Sequence, residues 1–415
     1  MGKFIGYQCS VCGEQFEKDY QGYVCPHDGG NLDVVLDYEN LKTLRDDQLI
    51  NQTEQSMWRY LALLPVNVPG FEDTPLHKVG FTPMYAPDKL RNELNINHLW
   101  IKDESGNPTA SFKDRASALV IIRAKEIHSE IVVTASTGNA GAALAGMAAA
   151  VRHQAVIFAP KTAPPAKIAQ LLVYDAKVLL VDGNYDAAFD LSIEASKAFG
   201  WYCRNTGYNP FTLEGKKTAA FEIWEFLKTR YPDYFDREVN IFVSVGDGNI
   251  ISGLHKGFKD LFAINKLDKF PRIFGIQSTG SAAIANAFKA GTEKISAVEA
   301  DTIADSISVD LPRDGLRALR AATQTNGAFI TVTDEEIINS IAALGSAGIF
   351  AEPAGATSYA GIKKAVDKKM VSRDSINIVL NTGNGLKDVK TAMQSVREAP
   401  VIEPNLNEVK KYFNQ

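Results

Sequence analysis

Four cysteines in 415 residues are too few to staple a fold of this length, so no disulfide framework is expected. No stretch approaches the roughly 20 apolar residues that a membrane span requires. The start, Met1-Gly2-Lys3-Phe4-Ile5-Gly6-Tyr7-Gln8-Cys9, lacks the apolar core of a signal peptide, and Gly2 in this context is not read as a myristoylation site. Charge of either sign is not in excess. Lys and Arg number 44 against 49 Asp and Glu, a net charge of −5, which gives no reason to expect nucleic acid or an anionic membrane as a partner. Internal repeats, low-complexity tracts and flexible linkers are missing as well. These absences leave a cytoplasmic globular protein as the expectation. Its 45% hydrophobic and 22% charged content is ordinary, and the length suffices for two or three domains with a buried core.

Residues 1–35 read as a separate small module. Cys9-Ser10-Val11-Cys12 and Cys25-Pro26-His27-Asp28 bracket a short polar segment in the manner of a zinc ribbon. With three cysteines, His27 or the adjacent Asp28 would complete a tetrahedral site, and Cys9, Cys12, Cys25 and His27 are taken as the candidate ligands. The competing reading is a metal-free remnant with buried thiols. Such a metal would be structural.

From about residue 98 the chain alternates short β-branched runs with helical patterns. His98-Leu99-Trp100-Ile101, Ile131-Val132-Val133-Thr134, Ala155-Val156-Ile157-Phe158, Val178-Leu179-Leu180-Val181, Ile241-Phe242-Val243-Ser244-Val245, Ile273-Phe274-Gly275-Ile276 and Ile376-Asn377-Ile378-Val379-Leu380 read as strands. Phe112, Ala116, Leu119 and Val120 recur at helical spacing between two of them. Strands separated by helices of this length mean βαβ units and parallel sheets, an α/β fold. The nearly all glycine and alanine segment 138–150 suits a helix packed closely on a sheet, and Pro165 suits the first turn of another helix.

Three glycine-bearing loops follow such strands and precede helical patterns: Ser136-Thr137-Gly138-Asn139, Gly246-Asp247-Gly248-Asn249 and Thr382-Gly383-Asn384-Gly385. In an open parallel sheet they fall at the carboxyl edge, where such folds bind ligands. Gly246, Gly248, Asn249 and Ile250 could bring backbone N–H groups onto a phosphate. The competing dinucleotide fingerprint wants an acidic residue at the end of the next strand; that strand ends in Gln277-Ser278-Thr279. Asp247 would repel a phosphate unless it turns outward or caps the helix. Lys113, in Asn107-Pro108-Thr109-Ala110-Ser111-Phe112-Lys113-Asp114-Arg115, would begin a helix whose dipole disfavours the ammonium form. By itself that run reads as a solvated helix start. Thr382 could bond a pyridine nitrogen without protonating it, Asn139 could meet a phenolate oxygen, and Ser136 and Thr137 could hold a substrate carboxylate at a helix start. A lysine, a phosphate cradle and a spare hydroxyl at one sheet edge together suggest pyridoxal 5′-phosphate.

With those pieces in place the sequence resembles the threonine synthases, which are fold-type II pyridoxal-phosphate enzymes similar to the tryptophan synthase β-subunit. The resemblance covers nearly the whole chain. It rests on the cysteine-bearing module, Ser56-Met57-Trp58-Arg59-Tyr60, the blocks around Lys113 and Asn139, Lys167-Ile168-Ala169-Gln170, Asn209-Pro210-Phe211-Thr212-Leu213-Glu214-Gly215, Gly348-Ile349-Phe350-Ala351-Glu352-Pro353 and the Thr382 loop. It implies two parallel-sheet domains with the cofactor in the cleft between them: a large one from 36–110 and 211–400, a small one from 111–210, and a tail over 401–415. It also implies that Lys113 carries the cofactor, that Asn139 and Thr382 face its ring, that residues 246–250 hold its phosphate, and that Ser136, Thr137, Lys167 and Asn205 bind substrate. The activity implied is threonine synthesis from O-phospho-L-homoserine, usually by a homodimer. The segment Asp305-Ser306-Ile307-Ser308-Val309-Asp310-Leu311-Pro312 departs from the family pattern, as does Asp247. Both leave open a relative that catalyses β-elimination or β-replacement on serine, threonine or phosphoserine, such as a dehydratase or a cysteate synthase.

Overall fold

The computed structural model describes residues 3–413. The N-terminal module is an antiparallel sheet of β1 (Phe4–Cys9), β2 (Gln15–Glu17) and β3 (Leu32–Leu36), in the order β2-β1-β3. Next come β4 (Met84–Tyr85) and β5 (His98–Asp103), then β6 (Ile131–Ala135), β7 (Gln154–Pro160), β8 (Lys177–Val181) and β9 (Tyr202–Cys203). The last four are β10 (Val239–Ser244), β11 (Arg272–Ser278), β12 (Ala328–Val332) and β13 (Ile376–Asn381).

They form two further sheets. One has the order β12-β11-β10-β13-β5-β4, parallel except for the short β4; the other is the all-parallel β8-β7-β6-β9. Strands β10 and β13 are buried at every position, as central parallel strands covered on both faces must be. The edge strand β12 instead alternates buried with half-buried. All seven anticipated strands are present. β12, the two-residue β4 and β9, and the N-terminal sheet carry weaker patterns that the sequence does not mark as strands.

The helix Lys113–Glu126 lies between the two large sheets and packs on the helices Asn139–Ala150 and Pro210–Lys216. The small-sided helix meets β6 and β7 as anticipated, yet its tightest approaches are to the loop before the Lys113 helix and to its own leading turn. A Cβ on Gly146 would lie 2.5 Å from Thr109 Cγ2, and one on Gly141 would lie 2.1 Å from the Ser136 carbonyl oxygen.

The solvated reading of Asp114 and Arg115 is overturned, since both are fully buried. Asp114 accepts the Thr109 amide at 2.6 Å and also the Thr109 hydroxyl, closing the loop before the helix onto its first turn. Burial pushes its carboxyl up to about 6, against the hydrogen bonds from Thr109. Arg115 spreads its guanidinium over two buried carboxylates. It reaches Glu104 at 2.7 and 2.8 Å and Glu222 at 2.5 and 2.8 Å, with Thr218 Oγ1 at 2.9 Å. Lys102 adds a second cation, 2.6 Å from Glu222. Charges in an apolar interior need such partners. Replacing Arg115 with Met would strand two carboxylates, so urea unfolding is expected to show a loss of about 3–5 kcal/mol. A loss below about 1 kcal/mol, the range of an exposed pair, would contradict this account.

Candidate active site

Lys113 starts its helix where three chain segments meet. The amide of Phe112 donates to the Thr382 carbonyl at 2.9 Å, Ser111 bridges Gly383, and the Asn384 amide donates to the Ala110 carbonyl at 3.1 Å. The Lys113 turn is therefore stitched to the loop that follows β13. Burial, then the Arg204 guanidinium, lowers the Lys113 pKa, while Asp247 and Glu352 act in the opposite sense. A lowered amine is a better nucleophile and base than an exposed one.

The loop after β10 reaches the same cleft. Gly248 has φ +91°, a left-handed conformation that disfavours a side chain, and a Cβ there would meet the Asp314 carbonyl oxygen at 2.7 Å. The helix Asn249–Ala263 follows, its first helical bond running from the Ser252 amide to the Gly248 carbonyl at 3.1 Å. The amides ahead of that bond have no helical partner and can serve an anion. The Asn249 side chain fixes the loop, donating to Asp314 at 2.7 Å and accepting from Lys216. Asp247 neither leaves the cleft nor caps the helix; its carboxylate accepts the Arg313 amide at 3.3 Å, and burial raises its pKa.

Lys216 is the residue that sequence reading missed. It is fully buried and makes no ion pair among the described residues. Burial, then Lys113 and Arg204, holds its pKa well below the usual lysine range. A buried, unpaired cation beside free helix-terminal amides fits a phosphate dianion. The signal was a lysine pair, Lys216-Lys217, set in a stretch otherwise apolar and helical. Arg204 is similar: buried, donating to Ser117 at 3.1 Å and Thr206 at 2.6 Å, with Nη2 left without a partner.

Asn139 and Thr382 come together as anticipated, on a carboxylate that had been given no role. Asn139 Nδ2 donates to both oxygens of Glu352 at 2.8 and 3.1 Å, and Thr382 Oγ1 lies 3.4 Å from Glu352 Oε1. Burial raises the Glu352 pKa against the Asn139 hydrogen bond. A narrow cavity of about 40 Å³ touches Lys113, Asn139, Gly246, Asn249, Glu352 and Thr382. A neighbouring one of about 130 Å³ shares Asn139, Ser306 and Glu352, and reaches Thr137 and Lys167. Gly246, Asp247, Gly248 and Ile250 also line the first.

The substrate set is only partly assembled. Thr137 faces the second cavity, Ser136 stands beside it in the same turn, and Lys167 pairs with Asp305 across it. Asn205 does not join them. Its amide is spent inside the small sheet, accepting from Thr134 Oγ1 and the Ala135 amide, both at 2.9 Å, and donating to Ser192 at 2.8 Å. Among the metal candidates, Cys9, Cys12 and Cys25 converge, but the fourth member is Asp28. His27 is exposed and outside the group, because the turn after Cys25 aims the next residue inward.

The pyridoxal-phosphate dependent enzyme profile matches residues 76–383. The threonine synthase of Methanocaldococcus jannaschii is 36% identical over 98% of this chain and 99% of its own length. The chain belongs to the threonine synthase family of pyridoxal-phosphate dependent enzymes. The Methanosarcina acetivorans threonine synthase is 35% identical over 97% of each chain. In fold, the chain is similar to the processed threonine deaminase isoform 2 of Solanum lycopersicum (TM-score 0.67, 22% identity, 82% of this chain and 92% of that one). It is also similar to diaminopropionate ammonia lyase of Escherichia coli (TM-score 0.64, 20% identity, 76% and 87%).

In this family member, Lys216→Met is expected to weaken pyridoxal phosphate binding to the apoprotein by about tenfold or more, the worth of a charge-assisted hydrogen bond. Titration of cofactor absorbance measures it. Unchanged affinity would remove Lys216 from the phosphate site.

Proposed function

We propose that this chain converts O-phospho-L-homoserine and water into L-threonine and phosphate. The observation that carries the reading is the lowered amine of Lys113 beside a helix-terminal cradle backed by the unpaired Lys216. When bound there, pyridoxal phosphate supplies an electron sink for carbanionic charge on the substrate. Gly246, Gly248, Asn249 and Ile250 would surround its phosphate, with Asp247 beside them holding its carboxyl on the Arg313 amide, and Thr382 and Asn139 would orient its ring. Lys113 Nζ takes the proton from the substrate α-carbon and returns protons along the chain as phosphate leaves the γ-carbon and water adds at the β-carbon. Glu352, whose carboxyl burial makes easier to protonate than an exposed one, is the second proton carrier in the cleft. Ser136 and Thr137 receive the substrate carboxylate. Lys167 and Arg204 supply positive potential for its phosphate, and Asn205 acts only by keeping β6 in place.

The small cavity beside Lys113 requires the cleft to widen for the cofactor. Within the small domain of 111–210, the part beyond the anchored Lys113 helix moves against the large domain of 36–110 and 211–400 and closes over the substrate to control water. The reading carries with it a cytoplasmic homodimer. No helix among the described residues is long and apolar enough to cross a membrane.

A β-eliminating activity is the second reading. It is favoured by the departure of segment 305–312 from the threonine synthase pattern; within it the turn Asp305–Ile307 packs on the phosphate loop, where a Cβ on Gly246 would lie 2.8 Å from Ile307 Cα. The two are separated by offering both substrate types. Phosphate release from phosphohomoserine is expected; 2-oxo acid from threonine or serine, without phosphate release, would overturn the assignment. Lys113→Ala is expected to lower turnover at least about 100-fold, the contribution of a positioned acid–base group. A variant with near-normal turnover would sink the role given to that amine.

A further inference from the structure

We propose that Cys9, Cys12, Cys25 and Asp28 bind one zinc ion, and that this metal locks the N-terminal sheet onto the element behind the cofactor loop. The two turns that supply the ligands repeat each other. Cys9-Ser10-Val11-Cys12-Gly13 and Cys25-Pro26-His27-Asp28-Gly29 each end in a glycine of positive φ, +79° and +70°. In each, the glycine amide returns to the carbonyl of the first cysteine, at 3.1 and 2.9 Å. Asp28 therefore holds the place that Cys12 holds in the other turn. His27 matches the exposed Val11, which is why it stays outside the cluster.

The distances match a metal centre. Cys12 Sγ lies 3.8 Å from Cys25 Sγ, and Cys9 Sγ lies 3.4 Å from Asp28 Oδ1. Tetrahedral zinc, with bonds of about 2.3 Å to sulfur and about 2.0 Å to carboxylate oxygen, would set these separations at about 3.8 and about 3.5 Å. A disulfide would need about 2.05 Å. All four ligand atoms fall within 4.8 Å of one another. The Gly30 amide fixes the Asp28 carboxylate at 2.8 Å, and the Val11 amide donates to Cys9 Sγ at 3.3 Å, as suits a thiolate. Three thiolates and a carboxylate around a dication leave two negative charges. Beside the cluster is a cavity of about 340 Å³ whose wall includes Lys259, a cation with no ion pair among the described residues and so free to offset part of that excess.

From this module a polar chain runs to the active cleft. Asp33 in β3 binds Arg317 at 2.7 Å, Arg317 binds Asp314, and Asp314 accepts Asn249 at 2.7 Å. On its other side, Tyr23 Oη accepts the Cys203 amide at 2.9 Å and Asn31 donates to the Gly207 carbonyl. The module thus grips the edge strand β9 of the small sheet on one side and the helix Gly315–Thr323 on the other. The influence on the cofactor loop rests on the function proposed above; the metal site itself does not.

Elemental analysis of the full-length protein by mass spectrometry is expected to give about one zinc per chain. Cobalt(II) exchanged into the site should show thiolate charge-transfer absorption and the visible bands of a tetrahedral centre. Asp28→Asn is expected to weaken zinc binding on the order of tenfold or more, whereas His27→Ala leaves it unchanged. No zinc, iron in its place, a Cys12–Cys25 disulfide, or loss of metal in His27→Ala with full retention in Asp28→Asn would overturn the proposal. Should Asp28→Asn not fold, the metal content and cobalt spectrum of the unaltered protein still decide. Chelator removal of zinc should weaken pyridoxal phosphate binding at least about fivefold; unchanged affinity would overturn the link to the loop. Metal content is read without turnover, so its failure and a failure of threonine formation remain distinct.

Discussion

The guanidinium of Arg115 holds the machinery together. It lies two residues beyond Lys113 and is shared between Glu104, just after β5, and Glu222, in the helix Thr218–Arg230. A bidentate guanidinium fixes direction as well as distance. The first turn of the Lys113 helix therefore cannot rotate without breaking contacts to both elements. Since an amine at a helix start swings on a long flexible stem, this rigidity has to come from the residues behind it. Arg115 supplies it, and Asp114 closes the preceding loop from the other side.

With that turn fixed, the electrostatics of the cleft have a simple logic. Lys113, Lys216 and Arg204 are cations without carboxylate partners, and burial lowers all three pKa values; Arg204 adds to the effect on Lys113, and Lys113 and Arg204 both add to that on Lys216. Asp247 and Glu352 are carboxyls raised by burial. Neither set is at rest in the absence of an added charge. A dianionic phosphate at the Gly246–Gly248 turn would restore the ammonium form of Lys216, so cofactor binding and proton uptake at that lysine are linked. Lys113, farther along the same field, stays easier to deprotonate than a surface lysine. One buried field thus serves both binding and proton transfer.

Much of this was legible in the sequence. The seven parallel strands follow from β-branched runs, and the three loops follow from glycines placed after them. What could not be read was partnership across the fold. Asn205 enters the substrate set only through the family resemblance; its commitment to Thr134, Ala135 and Ser192 depends on pairing between β6 and β9 that no local pattern encodes. Arg115 and Asp114 looked solvated for the same reason. Lys216 and Glu352 acquire meaning only when the loops after β10 and β13 converge. In the N-terminal turn, His27 is the better ligand by residue type, yet the backbone chooses Asp28. Turn geometry there outweighs side-chain chemistry.

The N-terminal sheet is the element whose position matters beyond its size. It touches Cys203 and Gly207 on the small-sheet side, and Arg317 and Arg320 on the large. A body gripping both sides of a cleft sets how far they can part. If the small domain closes on substrate, the hinge must lie in the contacts that are least constrained; Tyr23 and Asn31 each make one hydrogen bond to the small-sheet side, with the Tyr23 ring packed on Tyr202 and Tyr208. The Arg317 side, by contrast, is a chain of charged pairs ending at Asn249. The module should therefore travel with the large domain and the cofactor loop, while the small sheet slides past it. That asymmetry places the rigid half of the cleft where the cofactor phosphate would be held and the mobile half where the substrate carboxylate would enter.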